Sequence, residues 1–274
     1  MTPHELQASR PFLIAGPCAL ESEALALEVA SILKLLSQNL GISVIFKGSY
    51  SKANRTCEEA FHGVGLDQGL EILALVRETT GLPVTSDVHE VAEIDRAARV
   101  LDVIQIPSLL CKNTALLHAA AETGKVVNVK KGQFVTALDM RYTVEKIEAH
   151  GNTNIFLTER GNLFGYGDTI VDFRSLRFLK SLGYPVVFDA THSVRISSRR
   201  SGDPEGGTPE DIPLLTRCAA AAGVEGLFVE THPRPSQAWC DSIVAFPCDR
   251  LGRLVGDFIA LSKFARDLPQ SNHP

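Results

Sequence analysis

Residues 126–134, "VVNVKKGQF", begin as a run rich in β-branched side chains and end on two consecutive lysines and a glycine. Short runs of that kind favour pleated backbone. Cations set directly against such a run cost free energy unless an anion meets them there. The arrangement recurs along the chain: "FLIAG" from 12, "SVIFKGS" from 43, "PVTSDV" from 83, "DVIQIP" from 102, "NIFLTE" from 154, "PVVFDAT" from 185 and "GLFVET" from 226 bring the short apolar runs to eight. Longer amphipathic pieces lie between them, such as "EALALEVASILKLLSQNLG" and "GLDQGLEILALVRETTG". These carry apolar residues at helical spacing and end in a glycine placed to cap a helix. Strands alternating with returning helices predict parallel pairing through right-handed crossovers. In 274 residues the pattern predicts an α/β fold, a single (β/α)8 TIM barrel over residues 1–274, with a doubly wound open sheet as the alternative.

The totals restrict the function. With 27 basic and 32 acidic residues the net charge is −5, and no long basic run is present, so broad attraction to nucleic acid or to an anionic membrane is not expected. Any anion must be bound locally. The opening residues lack the apolar core of a signal peptide, and no later run approaches the roughly 18 apolar residues of a spanning helix, which predicts a cytoplasmic protein. Six cysteines without paired spacing argue, in a reducing compartment, against a disulfide framework. The longest stretch with neither pattern, "RISSRRSGDPEGGTPED" at 195–211, has the Gly, Pro and Ser content of a mobile loop and is a candidate lid.

A barrel of this kind builds its site at the carboxyl ends of its strands. The residues standing there are Cys18, Lys47 with Ser49 and Lys52, Asp87 with His89, Gln105, Lys130 and Lys131, Glu159 and Arg160, Asp189 with His192, and Glu230 with His232. Lys47, Lys52, Lys130 and Arg160 converging in one mouth would need a ligand with several negative charges, and a phosphate-bearing carboxylic acid fits. Cys18, His192, Glu230 and Asp241 are together a donor set for a borderline divalent metal such as Zn2+, Fe2+ or Mn2+. A buried structural role and a nucleophilic one for Cys18 remain open on this reading.

"IAGPCALES", "FKGSYSKANRT", "SDVHE", "DVIQIP", "VNVKKGQF", "LTERGNLFGYGDTIVDFRSL", "FDATHSV" and "FVETHP" resemble, in order and across nearly the whole chain, the 3-deoxy-D-manno-octulosonate 8-phosphate synthase family. The resemblance implies a (β/α)8 barrel, typically a homotetramer, that condenses phosphoenolpyruvate with D-arabinose 5-phosphate and releases phosphate, the product feeding the lipopolysaccharide core. It implies that Lys47, Ser49, Lys52 and Gln105 face the phosphoenolpyruvate carboxylate and that Lys130 and Arg160 hold its phosphate. Asn54, Arg55 and Thr56 would meet the aldose phosphate. Cysteine at position 18 is similar to the family's metal-dependent class, which implies one divalent ion on Cys18, His192, Glu230 and Asp241. Lys52, Asp87 and His89 are the candidates for proton transfer.

Departures from the family pattern gather on the aldose side. Lys112 stands where an arginine usually reaches a neighbouring subunit's sugar phosphate. Thr56 and Cys57 replace a serine pair, "HGVG" at 62–65 differs, and the 195–211 loop shares only its Gly-Gly, with Arg199 and Arg200 as candidate compensating cations. The competing readings are a related synthase acting on another aldose phosphate, a metal-dependent sugar-phosphate aldolase, and a non-catalytic sugar-phosphate binder.

Overall fold

A computed structural model of the chain describes residues 11–53, 59–163, 168–196, 198–199 and 203–268. Eight parallel strands follow in order: β1 (Phe12–Gly16), β2 (Ser43–Lys47), β3 (Val84–Asp87), β4 (Val103–Ile106), β5 (Val126–Lys130), β6 (Ile155–Glu159), β7 (Val186–Asp189) and β8 (Gly226–His232). Each pairs with the next, and β1 also pairs with β8, Phe12 opposite Gly226 and Gly16 opposite Glu230, so the sheet closes into a (β/α)8 barrel. The returning helices are α1 (Glu23–Leu40), α2 (Leu66–Thr80), α3 (Ile94–Val100), α4 (Thr114–Glu122), α5 (Met140–Glu148), α6 (Arg174–Ser181), α7 (Ile212–Ala221) and α8 (Cys248–Asp267). Their ends follow the punctuation in the sequence. Ser22 caps α1 by accepting from the Leu25 amide, and Gly41 and Gly81 end α1 and α2 in the left-handed conformation, φ 63° and 69°. A short ninth strand, β9 (Phe246–Pro247), extends the end of β8 and has no counterpart in the sequence reading. No helix among the described residues is long and apolar enough to cross a membrane.

The strands are buried along their whole length, which hides their two-residue alternation in the sequence. One face packs on the helices. The other fills the barrel with a plug of Phe12, Ile14, Ile45, Val103, Val126, Phe156, Val187 and Phe228. Strand side chains alternate faces, so the residue two after a plug residue enters the lumen one layer higher. Ile45 leads to Lys47, Val103 to Gln105, Val126 to Asn128 and then Lys130, Phe156 to Thr158 and then Arg160, Val187 to Asp189, and Phe228 to Glu230. The same parity turns Lys131 and Glu159 away from the lumen. Lys131 donates to the carbonyls of Val135 and Gly161 and to Asn162 Oδ1, while Glu159 Oε1 accepts from the Arg160 and Gly161 amides and Oε2 from Ser175. These two charged residues pin the β5 and β6 loops instead of meeting a ligand.

Gly16 ends β1 against the backbone of β2, where a Cβ would lie 1.9 Å from the Lys47 carbonyl oxygen. Backbone cannot yield as a side-chain tip can. Gly16→Ala is therefore expected to cost about 2 kcal/mol or more and to lower the melting temperature by roughly 4–8 °C, read by calorimetry. An unchanged melting temperature would contradict the tight β1–β2 approach.

Candidate active site

Above the apolar plug a hydrogen-bonded polar layer crosses the barrel. Ser49 Oγ and Gln105 Nε2 donate to the two oxygens of Asp87, both at 2.7 Å. Asn128 Nδ2 donates to Gln105 Oε1 at 3.0 Å, and Thr158 Oγ1 to Asn128 Oδ1 at 2.7 Å. All five residues are buried. Burial alone would raise the Asp87 carboxyl, but the cations of Lys47, Lys52 and Lys130 outweigh it and hold the group far below the usual carboxylate range. With both oxygens engaged, Asp87 is a weak proton acceptor and a strong anchor.

A second set of charges stands over this layer. Lys47 Nζ donates to Glu230 Oε1 at 2.5 Å and to the Cys18 carbonyl at 2.7 Å, joining β2, β8 and the end of β1. Lys130 Nζ lies 2.7 Å from Asp189 Oδ2 and 3.6 Å from the centroid of the Phe228 ring, an ion pair backed by a cation–π contact. Lys52 Nζ is 3.8 Å from Glu230 Oε1. Burial would lower the Lys52 ammonium, but Cys18 and Glu230 beside it more than offset this and hold it well above its ordinary value, so it stays protonated.

The cavity over these groups has a volume of about 430 Å³. Lys52, Asp87, His89, Lys130, Arg160 and His192 line it together with Asp241, Cys240, Arg195 and residues of the β4 loop. Three of these residues direct buried nitrogens with no hydrogen-bond partner, His89 Nδ1, Arg160 Nη1 and Arg195 Nη1. Unsatisfied buried donors cost about 1–3 kcal/mol each, so two guanidinium nitrogens without hydrogen-bond acceptors in one cavity imply an anionic ligand that accepts from them. Burial lowers the Arg160 guanidinium, and Asp189 and Glu159 partly restore it.

At one side of the cavity lie two overlapping groups of metal-ligating atoms, Cys18 with Cys240 and Asp241, and His192 with Glu230 and Asp241, the donor atoms of each within 4.8 Å of one another. Two observations test whether a cation fits. Glu230 Oε2 is buried without a hydrogen-bond partner and lies 3.5 Å from His192 Nε2. His192 Nδ1 is 2.7 Å from Asp189 Oδ2; assigned by this contact, the proton sits on Nδ1 and the Nε2 lone pair is free for an ion, the usual carboxylate–histidine orientation of a metal ligand. The set fits. Burial would raise the Glu230 carboxyl, yet the ammonium groups of Lys47 and Lys52 pull it well below its ordinary value, and Arg195 does the same for Asp241 against its own burial. Burial and the neighbouring Cys240 push the Cys18 thiol well above its ordinary value.

The residues expected from the sequence fall into four places. Lys52, Asp87, His89, Lys130 and Arg160 line the cavity, with His192 and Asp241 beside them. Lys47, Ser49, Gln105 and Glu230 are fully or almost fully buried beneath it, supporting its floor. Lys112 is exposed and does not line the cavity, and its carbonyl accepts from Lys146 Nζ. Asn54, Arg55 and Thr56 lie outside the described residues, as do Cys57 and Arg200. Arg199 pairs with Glu205 at 2.7 Å within its own loop. Among the described residues, the cation that enters the site from this loop is Arg195, 3.5 Å from Asp241 Oδ1. It sits three residues after His192 and opens the 195–211 stretch that reads as a candidate lid.

Residues 7–255 match the DAHP synthetase I family. The chain belongs to this family. Within the family its relatives share a more specific name. The 2-dehydro-3-deoxyphosphooctonate aldolase of Trichlorobacter lovleyi is 50% identical over 254 residues, 93% of each chain. The proteins of the same name from Nitratidesulfovibrio vulgaris and Geobacter metallireducens are 49% and 48% identical over 94% and 96% of each chain. The chain thus spans nearly the full length of the family members it matches.

Asp87 contributes stability that is fully present above the unfolded carboxylate pKa of about 4 and is lost as the pH falls toward its depressed folded value. Asp87→Asn is expected to cost about 3 kcal/mol at pH 7 and to flatten the acid limb of stability. Urea midpoints measured from pH 7 down to pH 3 read both effects, and parallel curves for the two proteins would refute the assignment.

Proposed function

We propose that the chain condenses phosphoenolpyruvate with D-arabinose 5-phosphate and water, giving 3-deoxy-D-manno-octulosonate 8-phosphate and inorganic phosphate. The observation that carries the reading is the set of buried nitrogens without a hydrogen-bond partner, His89 Nδ1, Arg160 Nη1 and Arg195 Nη1, on residues that line one cavity with Lys130 and Lys52. In a chain this close to the named aldolases, a small multiply charged phosphate ester is the ligand that such a set suits.

Lys130, Arg160 and Arg195 take the phosphoenolpyruvate phosphate. Lys52 faces its carboxylate over the floor made by Lys47, Ser49 and Gln105. Fixing the enol in this way sets C3 against the aldehyde carbon of the aldose, an advantage of orientation more than of covalent chemistry. As the C–C bond forms, the aldehyde oxygen takes a proton, and Lys52, kept protonated by its anionic neighbours, is placed to give it. Charge then grows at C2, water adds there, and phosphate leaves by C–O cleavage. The free Nδ1 of His89 is placed to hold that water or accept its proton. Asp87 positions the floor. Cys18, His192, Glu230 and Asp241 would hold one divalent ion, Zn2+, Fe2+ or Mn2+, which supplies Lewis acidity toward the aldehyde when bound. Asn54, Arg55 and Thr56 are assigned to the aldose phosphate, with Lys112 reaching toward the site of a neighbouring copy. The protein is assigned to the cytoplasm.

Leu109, Phe134, Leu138 and Tyr142 are 44–55% exposed around the β4 and β5 end of the barrel, close to Lys112. An apolar rim there supports a homo-oligomer in which copies meet beside their sites. Light scattering is expected to give a tetramer mass, and a monomer would remove the role of Lys112.

Phosphate release is expected with phosphoenolpyruvate plus D-arabinose 5-phosphate and not with ribose 5-phosphate or erythrose 4-phosphate. Activity confined to another aldose would reassign the substrate. In the same assay Arg195→Ala raises KM for phosphoenolpyruvate about tenfold or more, the loss of one charged hydrogen bond. Exhaustive chelation abolishes turnover, whereas Cys18→Asn loses bound metal and keeps a chelator-resistant remainder. Full turnover after chelation would refute the metal assignment.

A further inference from the structure

Cys240 and Asp241 are consecutive, and consecutive side chains in extended backbone diverge. Here they converge. Cys240 Sγ, Asp241 Oδ2 and Cys18 Sγ share one group of donor atoms, with Cys18 Sγ 2.8 Å from Cys240 Sγ and 3.5 Å from Asp241 Oδ2. The backbone at Asp241 makes this possible. Its φ of 47° is the only positive value at a non-glycine residue among the described residues, and its carbonyl is fixed by the amides of Val244 and Ala245. A left-handed conformation at a β-substituted residue costs about 1–3 kcal/mol, and it is retained where it aims both side chains at the cation group. Cys240 is also 2% exposed, packs with Cys18 and Ala19 in a small cluster apart from the helix-packed core, and borders the cavity.

We propose that Cys240 is a fifth protein donor to the divalent ion, making the centre a two-thiolate site that prefers thiophilic metals to Mn2+. The proposal rests on the metal reading above and adds a ligand to it. Loading the site exchanges two thiol protons for one ion: each Cys gives its proton to solvent, and each sulfur forms a bond to the metal. Two thiolates each bound at about 2.3 Å on neighbouring positions of a five-donor shell stand roughly 3.3–4.0 Å apart, so loading parts the sulfurs by about half an ångström to an ångström. Thiolates favour Zn2+ and the softer ions, while Mn2+ favours oxygen donors, so the second sulfur sets the preference.

The decisive experiment uses the unsubstituted full-length protein. In the Zn2+-loaded form, Cys18 and Cys240 are both expected to resist iodoacetamide, and both to be alkylated after chelation, as read peptide by peptide by mass spectrometry. Alkylation of Cys240 at the same rate in both forms would overturn the proposal, as would recovery of the pair as a disulfide. With Co2+ in place of Zn2+, Cys240→Ser is expected to lose about half of the thiolate-to-cobalt charge-transfer absorption. Its preference for Zn2+ over Mn2+ should fall about tenfold. An undiminished cobalt band in Cys240→Ser leaves a four-ligand site and overturns the fifth ligand alone. No band in the unsubstituted protein overturns the metal reading with it.

Discussion

Lys47 stands at the seam of the barrel, fully buried above a plug of aliphatic and aromatic side chains, and its ammonium meets Glu230 of β8 and the backbone carbonyl of Cys18 just after β1. An unpaired ammonium at that depth would cost several kcal/mol, so the ion pair and the closure of the sheet depend on each other. Closure brings the first and eighth strands together, and only then are Cys18 and Glu230 neighbours. The candidate metal group, the position of Lys52 and the floor of the cavity all follow from that one contact.

Above the seam the lumen holds more charge than an isolated barrel would keep. Lys130 is neutralised by Asp189, and Asp87 is held by two donors and three nearby cations. Arg160 and His89 are left with nitrogens that have no hydrogen-bond partner, and Arg195 Nη1 has only its 3.5 Å ion pair with Asp241. A fold tolerates such a surplus where a ligand completes it. Asp189 links the two halves of the site, because one carboxylate pairs with Lys130 on the anion side and orients His192 on the cation side. The candidate anion-binding and metal-ligating groups therefore share a single buried side chain.

Much of this was legible in the linear sequence. All eight strands and the capped helices α1 and α2 stand where β-branched runs and terminal glycines placed them, because propensity and capping act over a few residues. The cluster of reactive residues at strand ends was equally visible. Which residue of each adjacent pair enters the lumen was not. "KK" at 130–131 and "ER" at 159–160 look symmetrical as text, and since both faces of these strands are buried, no hydrophobic alternation marks the inner one. Arg195 was hidden for a related reason, being the first residue of a polar loop in which Arg199, the other arginine among the described residues, turns to its own acids.

The sequence by itself determined the alternation of strand and helix, the family and the chemical types available at the strand ends, since these depend on local propensity and on motif order. Tertiary structure alone decided which of those groups meet. Barrel closure, strand parity and the left-handed turn at Asp241 bring together residues more than 200 positions apart, and the cost of burying their charges unpaired fixes how they are arranged.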